Sequence, residues 1–242
     1  MAAPNAKKLT TAKTFTAADG GILNYRIYVP NDLDKNTPVP LVLFLHGAGE
    51  RGDDNTKQVV HGVGNLIGYS QQHEPAIVLA PQCPAGKKWV EVDWKAKQHA
   101  APEQPSESLA RVFGLIKQLK DTSSIDPDRL YVTGLSMGGY GTWDVIQRQP
   151  NRWAAAIPVC GGGDSRKEMV LPIRSLPIWV FHGDADKAVP VSRSRDMMKA
   201  LKKVKSPAKY TEYPGVGHNS WTPTYANPEA LKWLFAQRKG NK

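Results

Sequence analysis

Residues 134–138 read Gly-Leu-Ser-Met-Gly, and the residues before them, Asp128-Arg-Leu-Tyr-Val-Thr133, end in a short β-branched and aromatic run. A helical pattern follows from Tyr140. A serine set between glycines, at a turn from a strand into a helix, presents its hydroxyl as a nucleophile. The glycines remove side chains that would collide in such a turn. The helix points its first N–H groups toward the serine, which favours negative charge developing there. Five residues are a weak signal alone. A base, an orienting acid and an oxyanion site must come from elsewhere in the chain.

A serine hydroxyl needs an imidazole to take its proton, and the imidazole needs a carboxylate to fix its tautomer. Of six histidines, His61, His73 and His99 lie in weakly patterned stretches and read as surface residues. His46 and His182 end apolar runs, where a histidine commonly satisfies buried backbone groups. His218 sits in Gly215-Val-Gly-His-Asn219, a glycine-rich turn able to bring the ring over Ser136, and is the expected base. Two carboxylates, Asp184 and Asp186, compete for the third place. Asp184 directly follows Gly183 and suits a turn, so Asp186 is favoured. The order Ser…Asp…His is the one this architecture uses.

The tetrahedral intermediate needs two backbone N–H donors, each worth about 2.7–4 kcal/mol. Met137, the residue after the nucleophile, supplies one. Ala48, in the loop His46-Gly-Ala-Gly-Glu-Arg-Gly52, supplies the other. Glu50 and Arg51 are expected to pair and shape that loop. Trp94 and Trp221 lie in predicted loops and are candidate substrate-binding residues. Trp89 is equally compatible with a pocket and with satellite core. Trp143, Trp153, Trp179 and Trp233 read as core.

The elements that must position these groups alternate strand and helix. Strands are expected at residues 22–29, 41–45, 76–80, 130–133, 154–159, 178–181 and 208–213. Helices are expected at 63–72, 106–120, 138–149, around Met197–Val204, and after Asn227-Pro228, a cap followed by proline at the first helical position. The apolar run Leu41–Leu45 is what a strand buried on both faces produces. The alternation predicts one α/β domain over residues 21–242, a mostly parallel doubly wound sheet with helices on both faces. Residues 1–20 are polar and expected to form a flexible arm. Residues 81–105 lack a clear period and read as a long functional loop or short lid. His46, Ser136, Asp186 and His218 all fall at or just after strand ends, where ligands bind in such folds.

Composition narrows the function classes. With 40% hydrophobic residues, the chain has ample material for one core. No run approaches the about 18 apolar residues of a membrane span. The formal net charge is +10, but the lysines are scattered and follow no nucleic-acid motif. A solvated basic surface is the simpler reading, and steering of anionic substrates the sharper one. Cys83 and Cys160 allow at most one bridge, and neither lies at zinc-ligand spacing, so both read as buried thiols. Residues 1–8 hold no apolar stretch of a signal peptide.

Together, Leu45-His-Gly-Ala-Gly-Glu-Arg-Gly52, Ala80-Pro-Gln-Cys-Pro84, Gly134-Leu-Ser-Met-Gly-Gly139 and His182-Gly-Asp-Ala-Asp-Lys-Ala-Val-Pro190 resemble the α/β-hydrolase superfamily. The resemblance runs from about residue 22 to 237. It is closest to the small carboxylesterase and feruloyl-esterase branch, whose members are also described as predicted peptidases or phospholipase/carboxylesterase-like. It implies Ser136, Asp186 and His218 as a triad, with no metal or organic cofactor, and short acyl esters as substrates. Some members carry secretion signals; the expected location is secreted or periplasmic with a signal removed, otherwise cytoplasmic. No large cap domain is recognisable, which predicts a shallow, open pocket. The expected activity is that of a serine carboxylesterase on short-chain or aryl esters, including feruloyl or acetyl esters of plant polysaccharides. The second enzyme reading is a prolyl-oligopeptidase-like serine peptidase, although nothing resembles the gating domain such peptidases carry. A non-enzymatic binding module is the third, opposed by the intact Ser, Asp and His.

Overall fold

The apolar run at residues 41–45 lies at the centre of the protein, whose computed structural model describes residues 3–31 and 37–240. It belongs to a strand with all seven residues buried. Alternate side chains of that strand feed two different cores, as the two-residue period requires. Leu41, Leu43 and Leu45 enter one, and Val42 and Phe44 the other.

Eight strands make one sheet: β1 (Thr11–Thr16), β2 (Ile22–Tyr28), β3 (Val39–Leu45), β4 (Ile77–Pro81), β5 (Ile125–Leu135), β6 (Ala155–Val159), β7 (Trp179–Gly183) and β8 (Lys209–Tyr213). Their spatial order is β1-β2-β4-β3-β5-β6-β7-β8. The pairs β1–β2 and β2–β4 are antiparallel, and the rest are parallel. The helices are α1 (Ala6–Leu9), α2 (Val63–Gln72), α3 (Glu107–Thr122), α4 (Met137–Arg148), α5 (Lys167–Val170), α6 (Ser192–Lys203), α7 (Trp221–Ala226) and α8 (Pro228–Phe235). Helices α3, α4 and α6 cover one face through Val112, Ile116, Trp143, Ile146, Met197 and Leu201. Helices α2, α7 and α8 cover the other through Leu66, Ile67, Tyr225, Leu231 and Leu234. This is the α/β-hydrolase fold, with no large cap among the described residues. No helix among the described residues is long and apolar enough to cross a membrane.

The N-terminal segment departs from expectation. Residues 1–2 lie outside the described residues, but 3–20 are not a loose arm: they contain α1 and the edge strand β1. The Asn5 side chain caps α1 by accepting from Lys8 N–H. Strand β1 pairs with β2 from Thr11↔Ile27 to Thr16↔Ile22. Buried Arg26 on β2 ties the two together, donating to Thr10 Oγ1 and to the carbonyls of Lys7 and Thr10. In β1 Phe15 alone is buried, so no apolar alternation announced a strand.

The stretch between β4 and α3 holds no helix or strand, yet it is pinned at several points. Trp89 is fully buried core, its Nε1 donating to His46 O over 3.0 Å. Arg148 donates to the carbonyls of Pro102, Glu103 and Gln104. Ala101 N–H donates to Asp164, and buried Arg193 donates to Lys97 O and contacts His99.

His46 directly follows β3 and begins the loop carrying Ala48. Its Nε2 accepts from Cys83 N–H at 2.9 Å, and its Nδ1 lies 2.6 Å from Gly47 O. One acceptor and one donor define a neutral ring. Burial pushes its pKa down to about 4. The unfolded chain therefore binds a proton between pH 6.5 and 4 that the folded chain refuses. Stability from this group is complete above pH 6.5 and is lost as pH falls toward 4, by about 3 kcal/mol in all. Half-buried His99, also pushed down to about 4 by desolvation, acts in the same direction. Urea unfolding of His46→Gln across this window should show a shallower fall with pH than wild type. An equally steep fall would exclude the ring as a source of acid sensitivity.

Candidate active site

Ser136 joins β5 to α4 with φ 53° and ψ −116°. A left-handed conformation at a non-glycine residue costs on the order of 1–3 kcal/mol and persists only where the surroundings enforce it. Enforcement comes from Ser136 N–H donating to Val159 O at 2.9 Å and from two glycines. A Cβ on Gly134 would overlap the Gly138 carbonyl, and one on Gly138 would overlap the Leu45 carbonyl. The motif's glycines thus let the first turn of α4 press against both its own strand and β3.

The turn after β8 brings His218 to this elbow. His218 Nε2 is 2.9 Å from Ser136 Oγ, and His218 Nδ1 is 2.7 Å from Asp186 Oδ2. Asp184 does not reach the histidine. It is exposed and accepts Gly215 N–H at 2.7 Å, bracing the turn that carries His218. The buried Asp186 carboxylate has donors on both oxygens. Oδ1 accepts N–H from Ala188 and Val189 at 2.8 and 2.9 Å. Oδ2 accepts from His218 and lies 3.1 Å from His182 Nε2. Burial opposes ionisation, but the hydrogen bonds from His182, His218 and Val189 outweigh it and hold the carboxyl far below the usual carboxylate range. His182 is the residue that sequence reasoning missed. It was read as satisfying backbone groups, whereas it also faces the acid. Its place four residues before Asp186 at a strand end was the available signal.

Met137 and Ala48 occupy equivalent positions. Met137 is the first residue of α4, and Ala48 begins a 3-10 turn, Ala48–Glu50. N–H groups at helix starts have no intrahelical acceptor, so both remain available to a ligand oxygen. The Ala48 loop is fixed by Gln82 Nε2 donating to Glu50 O, Gly52 N–H to Cys83 O, and Arg51 Nε to Ala48 O. Arg51 and Glu50 do not pair as expected; Glu50 instead faces His61 at 3.7 Å.

Both candidate substrate-binding tryptophans are half-exposed. The Trp221 ring stands edge-on to His218, 5.3 Å between centroids. It begins α7 rather than lying in a loop. Trp94 lies under the Lys88 ammonium at 5.1 Å, with Arg51 at 5.9 Å. Its carbonyl accepts from Tyr140 Oη. Trp143 and Trp153 are core as expected, while Trp179 and Trp233 are half-buried and pack against the Lys209 ammonium.

Cys160, Asp186 and His218 place possible metal-ligand atoms within 4.8 Å of one another. They make a poor cation site. Asp186 and His218 are already hydrogen-bonded together, and burial pushes the Cys160 thiol up to about 12, against the thiolate a metal requires.

Comparison with known proteins places this geometry in context. Residues 77–230 match the dienelactone hydrolase family. A thermostable esterase of solved structure is 42% identical, with a TM-score of 0.87 over 96% of this chain and 64% of that one. The bifunctional acetylxylan esterase/xylanase of Neocallimastix patriciarum is 26% identical over 78% of this chain, which spans a quarter (25%) of that protein's length. A ferulic acid esterase shares the fold at 17% identity, with a TM-score of 0.70 over 93% of this chain and 97% of that one. The family match covers the strand-to-helix elbow at Ser136 and both loops that carry Asp186 and His218, and the chain belongs to the dienelactone hydrolase family of the α/β-hydrolase superfamily.

Proposed function

We propose that this chain is a serine carboxylesterase working through an acyl-enzyme. The observation that carries the reading is the line of contacts from Ser136 Oγ to His218 Nε2 and from His218 Nδ1 to Asp186 Oδ2, at 2.9 and 2.7 Å. His218 Nε2 takes the hydroxyl proton as Ser136 Oγ attacks the ester carbonyl carbon. The carbonyl oxygen becomes an anion held by the N–H groups of Met137 and Ala48. His218 then returns the proton to the departing alcohol, leaving the acyl group on Ser136. Water repeats the sequence with the same base and releases the acid. Asp186 keeps the proton on His218 Nδ1 and stabilises the imidazolium formed in each half. No step calls on a metal or organic cofactor.

The substrates proposed are short-chain and aryl esters, including acetyl and feruloyl esters of plant polysaccharides. The half-exposed rings of Trp221, edge-on to His218, and of Trp94, beside Arg51 of the Ala48 loop, offer apolar surface, and no cap among the described residues covers them. The esterase and acetylxylan esterase likenesses support the same class.

Three measurements test this reading. Hydrolysis of 4-nitrophenyl acetate by Ser136→Ala should fall by about 10³-fold or more in kcat, leaving only what oxyanion binding supplies. Equal rates would end the proposal. Asp186→Asn should lower kcat by orders of magnitude, whereas Asp184→Asn, which only loosens the brace on Gly215, should cost less than about tenfold. The opposite ranking would move the acid to residue 184. Trp94→Ala should raise KM for a feruloyl ester by about 10-fold or more and barely alter KM for an acetyl ester. A uniform change in both would remove Trp94 from the aryl subsite.

A further inference from the structure

The carboxylate of Asp186 is shared between two histidines. His182, at the end of β7, is fully buried, with Nε2 3.1 Å from Asp186 Oδ2 and 3.1 Å from Val189 O. Both neighbours are acceptors, so Nε2 carries a hydrogen. On the other side of the ring, Nδ1 is 2.8 Å from Ser194 Oγ on α6. The alternative acceptor for that hydroxyl, Gly161 O, is farther away at 3.3 Å. Nδ1 is the nearer of the two acceptors, and a hydroxyl donating there leaves the ring's hydrogen on Nε2, facing Asp186. Ser194 is itself fully buried, so water does not compete for the hydroxyl.

We propose that His182 is a positioning residue for the proposed reaction: held by Ser194, it donates a second hydrogen bond to Asp186 Oδ2 and so fixes the oxygen that orients His218. This rests on the esterase reading above. The argument is geometric. The two backbone N–H groups on Oδ1 leave the carboxylate free to tilt about the line through them. A second donor on Oδ2, set on a rigid strand end, removes that freedom. It also withdraws charge from the oxygen that pairs with His218, which limits how strongly the imidazolium is held and lets it release its proton to the leaving alcohol.

Other groups face this pair, and none supplies the same donor. The Cys160 thiol at the end of β6 lies within 4.8 Å of the reactive atoms of Asp186 and His218. Tyr140 on α4 feels the Asp186 charge but donates to Trp94 O. Arg193, beside Ser194 on α6, lies over the Tyr140 ring and donates to Lys97 O. Glu212 on β8, in register with His182, is held by Arg195 and Tyr210.

The test compares pH profiles of kcat/KM on 4-nitrophenyl acetate for His182→Leu, His182→Gln and Ser194→Ala, beside wild type and Ser136→Ala. Loss of the donor in His182→Leu should lower kcat by about 10–100-fold, a part of what a positioned base supplies, with KM nearly unchanged. The unshared carboxylate then attracts the imidazolium more strongly, so the acid limb should move up by roughly 0.5–1 pH unit. His182→Gln, whose amide also donates, should recover most of kcat and the wild-type limb. Ser194→Ala, which frees the tautomer, should shift the limb the same way by a smaller amount. A folded His182→Leu with an unmoved limb, or a Gln variant no better than Leu, overturns the proposal. If His182→Leu does not fold, an unchanged profile in Ser194→Ala overturns it equally. Ser136-independent hydrolysis would end the esterase reading and this role with it. Ser136-dependent hydrolysis with unmoved limbs ends this role alone.

Discussion

The approach of α4 to the end of β3 is the contact on which the site depends. The Leu45 carbonyl occupies the space a side chain at Gly138 would need. Because nothing fills that space, the first turn of α4 sits directly against the strand from which the Ala48 loop departs. The start of α4 and the start of the Ala48 loop, about 90 residues apart in the chain, are thereby brought close to one another. The same crowding forces Ser136 into its left-handed conformation. A larger residue at 138 would push α4 away from the end of β3 and relax the elbow. Strain at Ser136 and the approach of α4 to the Ala48 loop therefore share a single cause, the missing Cβ.

The polar layer beneath the elbow follows a second constraint, that buried polar atoms must be paired. A carboxylate cannot be placed under the sheet rim unpaired, since desolvation alone would protonate it. Asp186 meets this with donors on both oxygens, two from its own loop and two from histidines. His46 solves the corresponding problem beneath the Ala48 loop by staying neutral, with one nitrogen donating and the other accepting. Each side of the site thus has a buried histidine at a strand end. One works on backbone geometry and the other on the acid.

The residues that meet at the candidate site stood out in the sequence because each sat in a local context with its own physical signature. The glycines around Ser136, the turn at Gly215–Asn219 and the apolar runs ahead of them can be read without knowing what packs against what. Asp186 could be told from Asp184 by position in the loop, although the decisive fact, that Asp184 braces Gly215, is a contact between distant segments. What was not legible depends on such contacts throughout. Strand β1 buries only Phe15 and owes its existence to pairing with β2 and to Arg26. Helix α7 has six residues, too few for a period, and is fixed by Tyr225 packing on Phe44. His182 looked like any histidine that ends an apolar strand until the loop folded back over it.

The basic excess of the chain takes on a different meaning in this setting. Read from composition, it implied solvated charge or a field that steers anions. Several of the arginines instead face inward and donate to main-chain carbonyls. Arg26 serves Lys7, Thr10 and Asn55; Arg148 serves residues 102–104; Arg193 serves Lys97. These carbonyls lie in irregular segments or in the last turn of the short helix α1, where no ladder or further helical turn supplies N–H partners. A guanidinium has five N–H groups in a fixed fork and no acceptor, so one side chain satisfies several such oxygens at once. Lysine, with a single flexible ammonium, would hold one or two and leave the rest to water. The long stretch beside the site is therefore held without secondary structure of its own. Part of the positive charge read as surface potential is the means by which the fold keeps an unpatterned segment in place around Ser136.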